Sequence, residues 1–456
     1  MSSVPHRKDI QGLRAIAVLA VMVFHLNPIW LPGGFVGVDV FLVISGFLIT
    51  SILLHKKSSA GYSLTETLKY FYVSRFKRIV PVYFLMLIIV ALVAAVLFLP
   101  SDFNTFRKGL EKAVWFSSNR YFAGFGDYFA PSSYEQPLLH TWSLAVEIQF
   151  YLLAPFIVLL LPIRLLKWFF VCLLIVLTAI AEYRLRLLGI EQVTYYSLYA
   201  RLPEFFAGGL AALYARTVSW GGGGSSTWHS ILGLLLIIVA AIAQPLLGHF
   251  PGMAALLPVA GSLLLLSQST QGWVGKLLSC KTLVWIGALS YSLYLWHWPV
   301  LAFLRYYTGA EKLGWQFSLV FIGLTLALSI ISYYWVETPL RQKRSTNRLS
   351  AYACFLVLIA LVAGVGTKLN AYFTSALLPI EFQRYADPHT ICHGQIVGDC
   401  LKGDLTSDKE ILILGDSHAA MLNQFFDSLG KELGFKARII TASSCVTIPE
   451  FDFRRI

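Results

Sequence analysis

The chain has 456 residues, of which 57% are hydrophobic and only 13% are charged, and its mean hydropathy is +0.67. A typical soluble domain is about 25% charged, so this composition excludes an ordinary soluble enzyme and predicts many segments in lipid. The formal net charge of +12 does not indicate nucleic-acid binding, because the basic residues form short runs between apolar stretches, as in the cytoplasmic loops of membrane proteins. We expect no cleaved signal peptide, since the first apolar stretch contains Arg14 and His25 and does not end in small residues.

The apolar stretches predict a polytopic membrane protein. A helix that crosses the hydrocarbon core needs about 20 mainly apolar residues. The predicted spans are 10–30, 35–54, 79–99, 142–162, 165–182, 201–216, 230–247, 253–268, 285–304, 316–336 and 350–369. The weakest are 201–216, which is short, and the pair around Pro245 and Pro258. The predicted fold class is therefore all-α, with about ten transmembrane helices over residues 1–345 and a linking transmembrane helix over 346–370.

The basic residues between these spans predict the orientation of the chain. Most fall on one side of the membrane, and the positive-inside rule makes that side cytoplasmic. They are His6, Arg7, Lys8, Lys56, Lys57, Lys69, Arg75, Lys77, Arg78, Arg164, Lys167, Arg216, Lys276, Lys281, Arg341, Lys343, Arg344 and Arg348, with Arg184 and Arg186 as exceptions. We expect a cytoplasmic N-terminus and an extracytoplasmic chain after about residue 370. The helical spacing of apolar residues in 64–78 predicts an amphipathic helix on the cytoplasmic surface.

The tail changes character after residue 370. Residues 371–408 are mixed and polar, which predicts an extracytoplasmic linker. Residues 411–414 are typical of a buried strand, and Gly415 and Asp416 are typical of a turn. The chain from Ala419 is typical of a helix, and residues 437–443 are typical of a second strand. This β-α-β order predicts the start of an α/β domain over 409–456. Some 50 residues are too few to build its sheet and core, so we expect the sequence to be a fragment of a longer chain.

Ionisable residues at membrane depth are costly and are candidates for function. Arg14 and His25 are eleven residues apart, almost three turns, so they share one helix face and lie about 16 Å apart along it. Their polar stripe would span most of the membrane, although a snorkelling arginine and an unrelated interfacial histidine remain the alternative. Asp39 returns to the level of His25 after a short loop. It is predicted to orient the His25 imidazole as a general base, or else to cap span two.

Further polar residues lie within the predicted spans. Glu147 lies about two turns below the outer surface, with His140 at the mouth, and needs a partner that we expect to be an arginine or a substrate hydroxyl. Arg201 and Glu204 flank Pro203. His297 between two tryptophans is interpreted as an interfacial or packing histidine, and Glu337 as a partner of Arg341 one turn later. The glycines Gly33, Gly34, Gly37 and Gly46 would permit close helix packing or backbone turns.

Arg75 and Arg78 are three residues apart and share a helix face. They could bind the phosphates of a carrier such as coenzyme A or, equally, anionic lipid headgroups. Among the six cysteines, Cys172, Cys280 and Cys354 are predicted to be buried packing residues. Cys392 and Cys400 would form a disulfide if the tail faces an oxidising compartment, and would otherwise be free thiols.

Five of these blocks together resemble the acyltransferase-3 family of bacterial membrane acyltransferases, from Arg14 to Glu337. They are the Arg-x10-His of span one, GFVGVDVFLVISGFLIT, the Arg-x-x-Arg before Pro81, SLAVEIQFY and LSYSLYLWHWP. The resemblance implies a cytoplasmic acyl donor, acetyl-CoA, and an extracytoplasmic polysaccharide acceptor such as O-antigen or lipopolysaccharide, in a bacterial inner membrane. It implies that Arg14 and His25 are the essential pair and that Arg75 and Arg78 handle the CoA phosphates, with no metal required.

The GDSH at 415–418 resembles the first block of the SGNH hydrolase and esterase family. In that family the serine is the nucleophile, its backbone N–H, a later glycine and a later asparagine form the oxyanion hole, and an Asp-x-x-His completes a triad. The resemblance therefore implies that Ser417 is a nucleophile, whereas His418 follows it directly and does not match the catalytic histidine.

The predicted catalytic residues are thus His25, Asp39, Glu147 and Ser417, and the predicted donor-binding residues are Arg14, Arg75 and Arg78. In one version of the mechanism, His25 deprotonates the acceptor hydroxyl directly. In another, the acyl group passes to Ser417, which transfers it to the sugar. A glycan or lipid transporter without acyl transfer, and a membrane-anchored SGNH esterase, are the alternatives.

Overall fold

The structure is a computed structural model that describes residues 7–125, 133–221, 227–267, 272–342, 357–358, 364–374 and 388–442. The chain divides into two compact units, Met1–Asn370 and Ala371–Ile456. The first unit is helical in its described parts, and the second contains a small sheet with two helices.

Most of the longer helices of the first unit follow the apolar stretches of the sequence, and shorter helices connect them. They are α1 (Lys8–Leu26), α2 (Gly37–Lys57), α3 (Leu64–Leu97), α4 (Pro100–Val114), α5 (Ser118–Phe122), α6 (Thr141–Leu160), α7 (Ile163–Arg186), α8 (Glu191–Tyr196), α9 (Leu198–Gly221), α10 (Thr227–Ala243), α11 (Leu256–Ser267), α12 (Gly272–Leu278), α13 (Lys281–Thr308), α14 (Trp315–Ile331) and α15 (Thr338–Gln342). A π-helical segment, Ser332–Glu337, joins α14 to α15.

Each of the first ten predicted spans falls on one helix of this set. The span predicted at 350–369 lies largely outside the described residues, of which 357–358 and 364–374 are helical. By length and apolar composition, six helices within the described part of the chain could each cross a membrane. The number becomes seven if the bent pair Met253–Ser267 and Gly272–Leu278 forms one span. The chain is therefore a membrane protein with several apolar helices, and the larger count of spans stays a prediction.

Two elements differ from the sequence-based expectation. The surface helix predicted over 64–78 is continuous with span three, and together they form the 34-residue helix α3. The expectation of a separate helix was wrong, because Phe71 is buried in the core and Tyr72 donates a hydrogen bond to the carbonyl of Leu152, which holds this part of α3 against α6. Helix α4 was not predicted, since only one face of it is apolar, with Phe103 and Phe106 buried.

Small residues let the helices around α1 and α2 approach closely. A Cβ atom on Gly46 of α2 would lie 2.1 Å from the carbonyl oxygen of Phe205 on α9, and one on Gly208 would lie 2.0 Å from that of Val43. A Cβ atom on Gly37 would lie 2.3 Å from the carbonyl oxygen of Ala17 on α1. The close packing expected of the glycines is thereby confirmed. It holds α2 between α1 and α9 and so fixes the orientation of every polar residue on α2.

The second unit contains β1 (Leu401–Gly403), β2 (Glu410–Gly415) and β3 (Lys436–Thr441), with α16 (Ser417–Ala420) and α17 (Asn423–Leu433) between β2 and β3. The order in the sheet is β1-β3-β2. Strands β2 and β3 are parallel, and β1 is antiparallel to β3. The predicted β-α-β order is confirmed, although the helix is split into two. The expectation that residues 411–414 are buried was wrong, because Ile411, Leu412 and Leu414 of β2 are exposed in the described part of this unit.

The cysteines agree only partly with the predictions. Cys392 and Cys400 form a disulfide bond, which closes a loop just before β1. Cys172 was predicted to be buried but is exposed, because α7 lies at the periphery of the bundle and buries little of its surface. Cys280 is partly buried, and Cys354 lies outside the described residues.

Candidate active site

A cavity in the first unit lies around His25, near the C-terminal end of α1, and is called the outer cavity after the predicted orientation of the chain. Its volume is about 390 Å³, and its walls include His140, Trp142, Tyr195, Tyr294, Trp298 and Arg305. The ring of Trp298 meets the His25 ring edge-on, with centroids 4.6 Å apart. Arg305 donates a hydrogen bond of 2.7 Å to the backbone carbonyl of His25, which ties the end of α1 to α13. A histidine therefore faces a cavity large enough for part of a substrate.

The partner of the His25 side chain is His297, not Asp39. His25 Nδ1 lies 3.0 Å from His297 Nε2. His297 is fully buried, and its Nδ1 lies 2.7 Å from the carbonyl oxygen of Tyr294. The interpretation of His297 as a packing residue was therefore incomplete. The missed signal is the spacing of Tyr291, Tyr294 and His297, which recur every three residues and so share one face of α13.

Asp39 of α2 forms a buried ion pair with Arg201 of α9. Its Oδ1 accepts a hydrogen bond of 2.9 Å from Arg201 Nη1, and Glu204 Oε1 lies 3.6 Å from the same nitrogen. The guanidinium of Arg201 also lies against the rings of Trp142 and Tyr195. The expectation that Asp39 orients His25 was wrong for a geometric reason. Gly37 is the residue that contacts α1, and Asp39, two residues later, is rotated by about 200° around α2, toward α9.

A second and narrower cavity, with a volume of about 80 Å³, is the central cavity. Its polar walls include Ser45, Glu147, Tyr151, Tyr294 and the three arginines Arg14, Arg75 and Arg78. Glu147 accepts hydrogen bonds from the hydroxyls of Ser45 and Tyr151. We expected an arginine or a substrate hydroxyl as its partner. The observed partners are hydroxyls of the protein, and Arg14 and Arg75 act on Glu147 only through longer-range electrostatic attraction.

A third cavity, with a volume of about 270 Å³, is strongly basic and is called the inner cavity. The arginines on its walls come from the start of α1, from α3 and from α15, and they are Arg7, Arg14, Arg75, Arg78 and Arg341. Gln11 accepts a long hydrogen bond of 3.4 Å from Arg14, and the buried Nε of Arg75 has no hydrogen-bond partner within the described ranges. Arginines concentrated in this way attract phosphate groups, which guanidinium binds in a bidentate manner.

Arg7 of this cluster is paired with Asp9 at 2.8 Å, and a second acidic residue that acts on the cluster is Glu337. It accepts a hydrogen bond of 3.2 Å from Ser292 and interacts electrostatically with Arg78 and Arg14 as well as with Arg341. The predicted pair with Arg341 is thus only part of its environment.

The three cavities follow one another along α1 and α2. The inner and central cavities share the side chains of Arg14, Leu48, Arg75 and Arg78. The central and outer cavities share Val38 and Tyr294. The structure therefore brings Arg14, Arg75, Arg78 and Glu147 together, and it places His25 beyond Val38 and Tyr294 in the next cavity.

In the second unit, Ser417 is the first residue of α16, directly after β2 and the turn at Asp416. The Asp416 carboxylate accepts a hydrogen bond of 2.9 Å from the backbone N–H of His418 and so caps this helix. That hydrogen bond is the main reason why the pKa of Asp416 lies below its ordinary value. The strand-turn-helix context expected around Ser417 is present. Within the described residues, no group of three or more His, Cys, Asp or Glu side chains is arranged to hold a metal ion.

Comparisons with known proteins match both units. Residues 7–334 match the sequence model of a family described as an acyltransferase domain, and residues 384–456 match an SGNH domain described as fused to such domains. The protein SAR0937 of Staphylococcus aureus strain MRSA252, whose name proposes an O-acetyltransferase, is 32% identical over 364 residues, which are 75% of this chain and 59% of that protein. The O-acetyltransferase OatA of strain NCTC 8325 is 32% identical over 365 residues, or 75% of this chain and 58% of OatA.

The chain spans about three fifths of the length of these relatives. No solved structure is similar enough to match. The acyltransferase match covers most of the chain and includes the residues that line the three cavities, except Arg341 of the inner cavity. The chain therefore belongs to the acyltransferase-3 family and has SGNH-domain sequence at its C-terminal end.

Proposed function

We propose that this chain is a membrane O-acyltransferase that moves an acyl group from cytoplasmic acyl-CoA, in the first instance acetyl-CoA, to a hydroxyl of an extracytoplasmic glycan such as O-antigen or lipopolysaccharide. The observation that carries the proposal is the line of three cavities from a cluster of arginines to a histidine. The names of the relatives support acetyl transfer to oxygen.

The donor would bind at the inner cavity. Coenzyme A carries phosphates at one end and a thioester at the other. Arg75 and Arg78 share a face of α3, and Arg14 points into the same space from α1, so the phosphates would meet several guanidinium groups at once. Arginine keeps its charge even when largely desolvated, so this site would retain its affinity for phosphate within the membrane.

The pantetheine arm of the donor would lie in the central cavity. This arm contains two amides and a hydroxyl, which need hydrogen-bond partners once they leave water. Ser45, Glu147, Tyr151 and Tyr294 offer such partners among apolar walls. Arg14 and His25 are eleven residues apart on one helix, about 16 Å along its axis, and an extended arm can cover that distance. On this proposal, Glu147 binds the donor rather than taking part in the chemistry.

The reaction would take place in the outer cavity. His25 accepts the proton of a glycan hydroxyl while the hydroxyl oxygen bonds to the carbonyl carbon of the thioester. The carbon–sulfur bond then breaks, and the CoA sulfur leaves with the proton that His25 carried. In the second version, Ser417 is acylated first and passes the group to the glycan.

Both versions of the mechanism require the same orientation of the chain in a bacterial inner membrane. The N-terminus lies in the cytoplasm, about ten spans and one linking helix follow, and the residues after about 370 lie outside.

The test is the acetylation of surface glycans in cells that produce the full-length protein or its variants, measured by mass spectrometry with acetyl-CoA consumption followed in parallel. His25→Ala should lower acetylation by roughly 10²–10⁴-fold, the usual contribution of a general base. Normal acetylation in this variant would refute the proposal. Ser417→Ala should abolish acetylation only if Ser417 relays the acyl group. Glycan export without acetyl-CoA consumption would indicate a transporter, and activity that resides only in the C-terminal unit would indicate a membrane-anchored esterase.

A further inference from the structure

His297 lies directly behind His25 as seen from the outer cavity. His25 lines that cavity, whereas His297 is fully buried. The His25 Nδ1 and His297 Nε2 atoms are 3.0 Å apart, the ring planes differ by 12°, and the ring centroids are 5.2 Å apart. Since the centroids are so much farther apart than the nitrogens, the two rings meet edge to edge. This is the geometry in which an N–H bond points along the lone pair of its acceptor.

The backbone determines which nitrogen carries each hydrogen. His297 Nδ1 lies 2.7 Å from the carbonyl oxygen of Tyr294. A carbonyl only accepts, so Nδ1 of His297 is the donor and carries the hydrogen. In a neutral imidazole the other nitrogen, Nε2, then has a lone pair and accepts the hydrogen on His25 Nδ1. The Nε2 atom of His25 consequently keeps a free lone pair, as a general base requires.

The neutral form of His297 is favoured by its surroundings. Its side chain is removed from water, where a second positive charge would be poorly solvated. The guanidinium of Arg305 already places one positive charge at the end of α1, where it donates to the carbonyl of His25. The indole of Trp296 donates to Ser332 at 2.7 Å and that of Trp298 donates to the carbonyl of Gln136 at 2.8 Å. These two bonds fix the turn of α13 that carries His297.

We propose that His297 is a positioning residue that holds His25 in the tautomer with Nδ1 protonated and Nε2 available as the base. This inference rests on the proposed function. His297 does not touch the reacting atoms. It accepts the His25 Nδ1–H bond before the reaction, and more strongly once Nε2 has taken the proton of the glycan hydroxyl and the imidazole is positively charged. It thereby takes the part that the sequence suggested for Asp39.

Two substitutions of similar size separate positioning from packing. The side-chain oxygen of His297→Gln can take the place of Nε2 as an acceptor, whereas His297→Leu fills the space without one. With the full-length chain in membrane vesicles and labelled acetyl-CoA as donor, His297→Leu should lower kcat for transfer about 10²–10⁴-fold, as expected for the loss of a correctly oriented base. His297→Gln should stay within about tenfold of the wild type. The KM for acetyl-CoA should be unchanged in both, because the proposed phosphate site is at Arg75 and Arg78.

The outcomes are distinguishable from one another. Equal losses in the two variants, a wild-type rate in His297→Leu, or a change confined to KM would each overturn the positioning role. In a His25→Ala background, His297→Leu should cause no additional loss, because the two residues act through one proton transfer. Normal transfer by His25→Ala alone would instead refute the proposed function itself.

A spectroscopic measurement on the wild-type chain keeps the inference testable if a His297 variant does not fold. In wild-type chain labelled with 15N-histidine, solid-state NMR should show the His25 signal, identified by its loss in His25→Ala, with Nδ1 protonated and Nε2 unprotonated. The opposite tautomer would overturn the inference.

Discussion

Asp39 and Arg201 form an ion pair in which each side chain is only 1% exposed. Removing one member of such a pair leaves a buried charge without compensation, which costs about 3–5 kcal/mol. We therefore expect Asp39→Ala to lower the thermal stability of the purified protein in detergent, and to lower activity only in proportion to the loss of folded protein. Glu204→Gln is the matched control. Two carboxylates face one guanidinium here, so a neutral amide at Glu204 should be tolerated. Full stability in Asp39→Ala would contradict a structural role.

Arg75 and Arg78 should act mainly on the affinity for the donor. Hydrogen bonds to charged groups contribute about 1.5–3 kcal/mol, so Arg75→Gln or Arg78→Gln should raise the KM for acetyl-CoA by roughly 10- to 100-fold. Arg107→Gln is a control, since Arg107 on α4 donates to Thr367 and does not line the three cavities of the site. The test against the lipid-headgroup alternative uses acetyl-pantetheine as donor, because it lacks all the phosphates of coenzyme A. If the arginines bind these phosphates, the effect of the substitutions should disappear with this donor, and an undiminished effect would favour headgroup binding.

At the scale of helices, the close contact between α2 and α9 depends on the absence of side chains at Gly46 and Gly208. An added methyl group at Gly46 would overlap the backbone carbonyl of Phe205, which cannot move aside without shifting the helix. Gly46→Ala should therefore destabilise the protein and disturb the Asp39–Arg201 pair, which crosses the same interface. Gly323→Ala on α14 has nothing within 4 Å of the added atom and should be neutral or stabilising, by up to about 1 kcal/mol. Thermal unfolding of both variants is the measurement, and equal behaviour would show that this contact is not tight.

The positions of helices could be predicted from the sequence because a bilayer imposes a fixed length of apolar residues on each span. The partners of side chains could not be predicted in the same way. A polar stripe containing Arg14 and His25 follows from helical periodicity alone. Whether Asp39 or His297 meets His25 depends on how α2 is rotated by its glycine contacts and on the packing of α13, neither of which is encoded in local spacing. The continuity of α3 likewise depends on its contact with α6.

At the scale of the whole chain, the proposed transfer requires donor and acceptor to approach from opposite faces of the membrane. The first unit contains two separate cavities that fit this requirement, one lined by arginines and proposed for the donor, and one lined by aromatic side chains around His25 and proposed for the acceptor. The tertiary packing that joins the cavities involves α1, α2, α3, α6 and α13, which are far apart in the sequence. This explains why motifs spread over more than 300 residues belong to one site.

The orientation of the chain can be tested through the disulfide of the second unit. With all other cysteines replaced by serine, Cys392 and Cys400 should be unreactive toward a maleimide until they are reduced. In this background, a cysteine introduced at the exposed Lys409 should react in intact spheroplasts with a maleimide that cannot cross the membrane, if this unit lies outside. Ser59→Cys at an exposed position after α2, in a chain without other cysteines, is the matched control for the cytoplasmic side and should react only after permeabilisation. The reverse pattern would place the arginine cluster outside and remove the donor from its proposed site, because coenzyme A and its thioesters are confined to the cytoplasm.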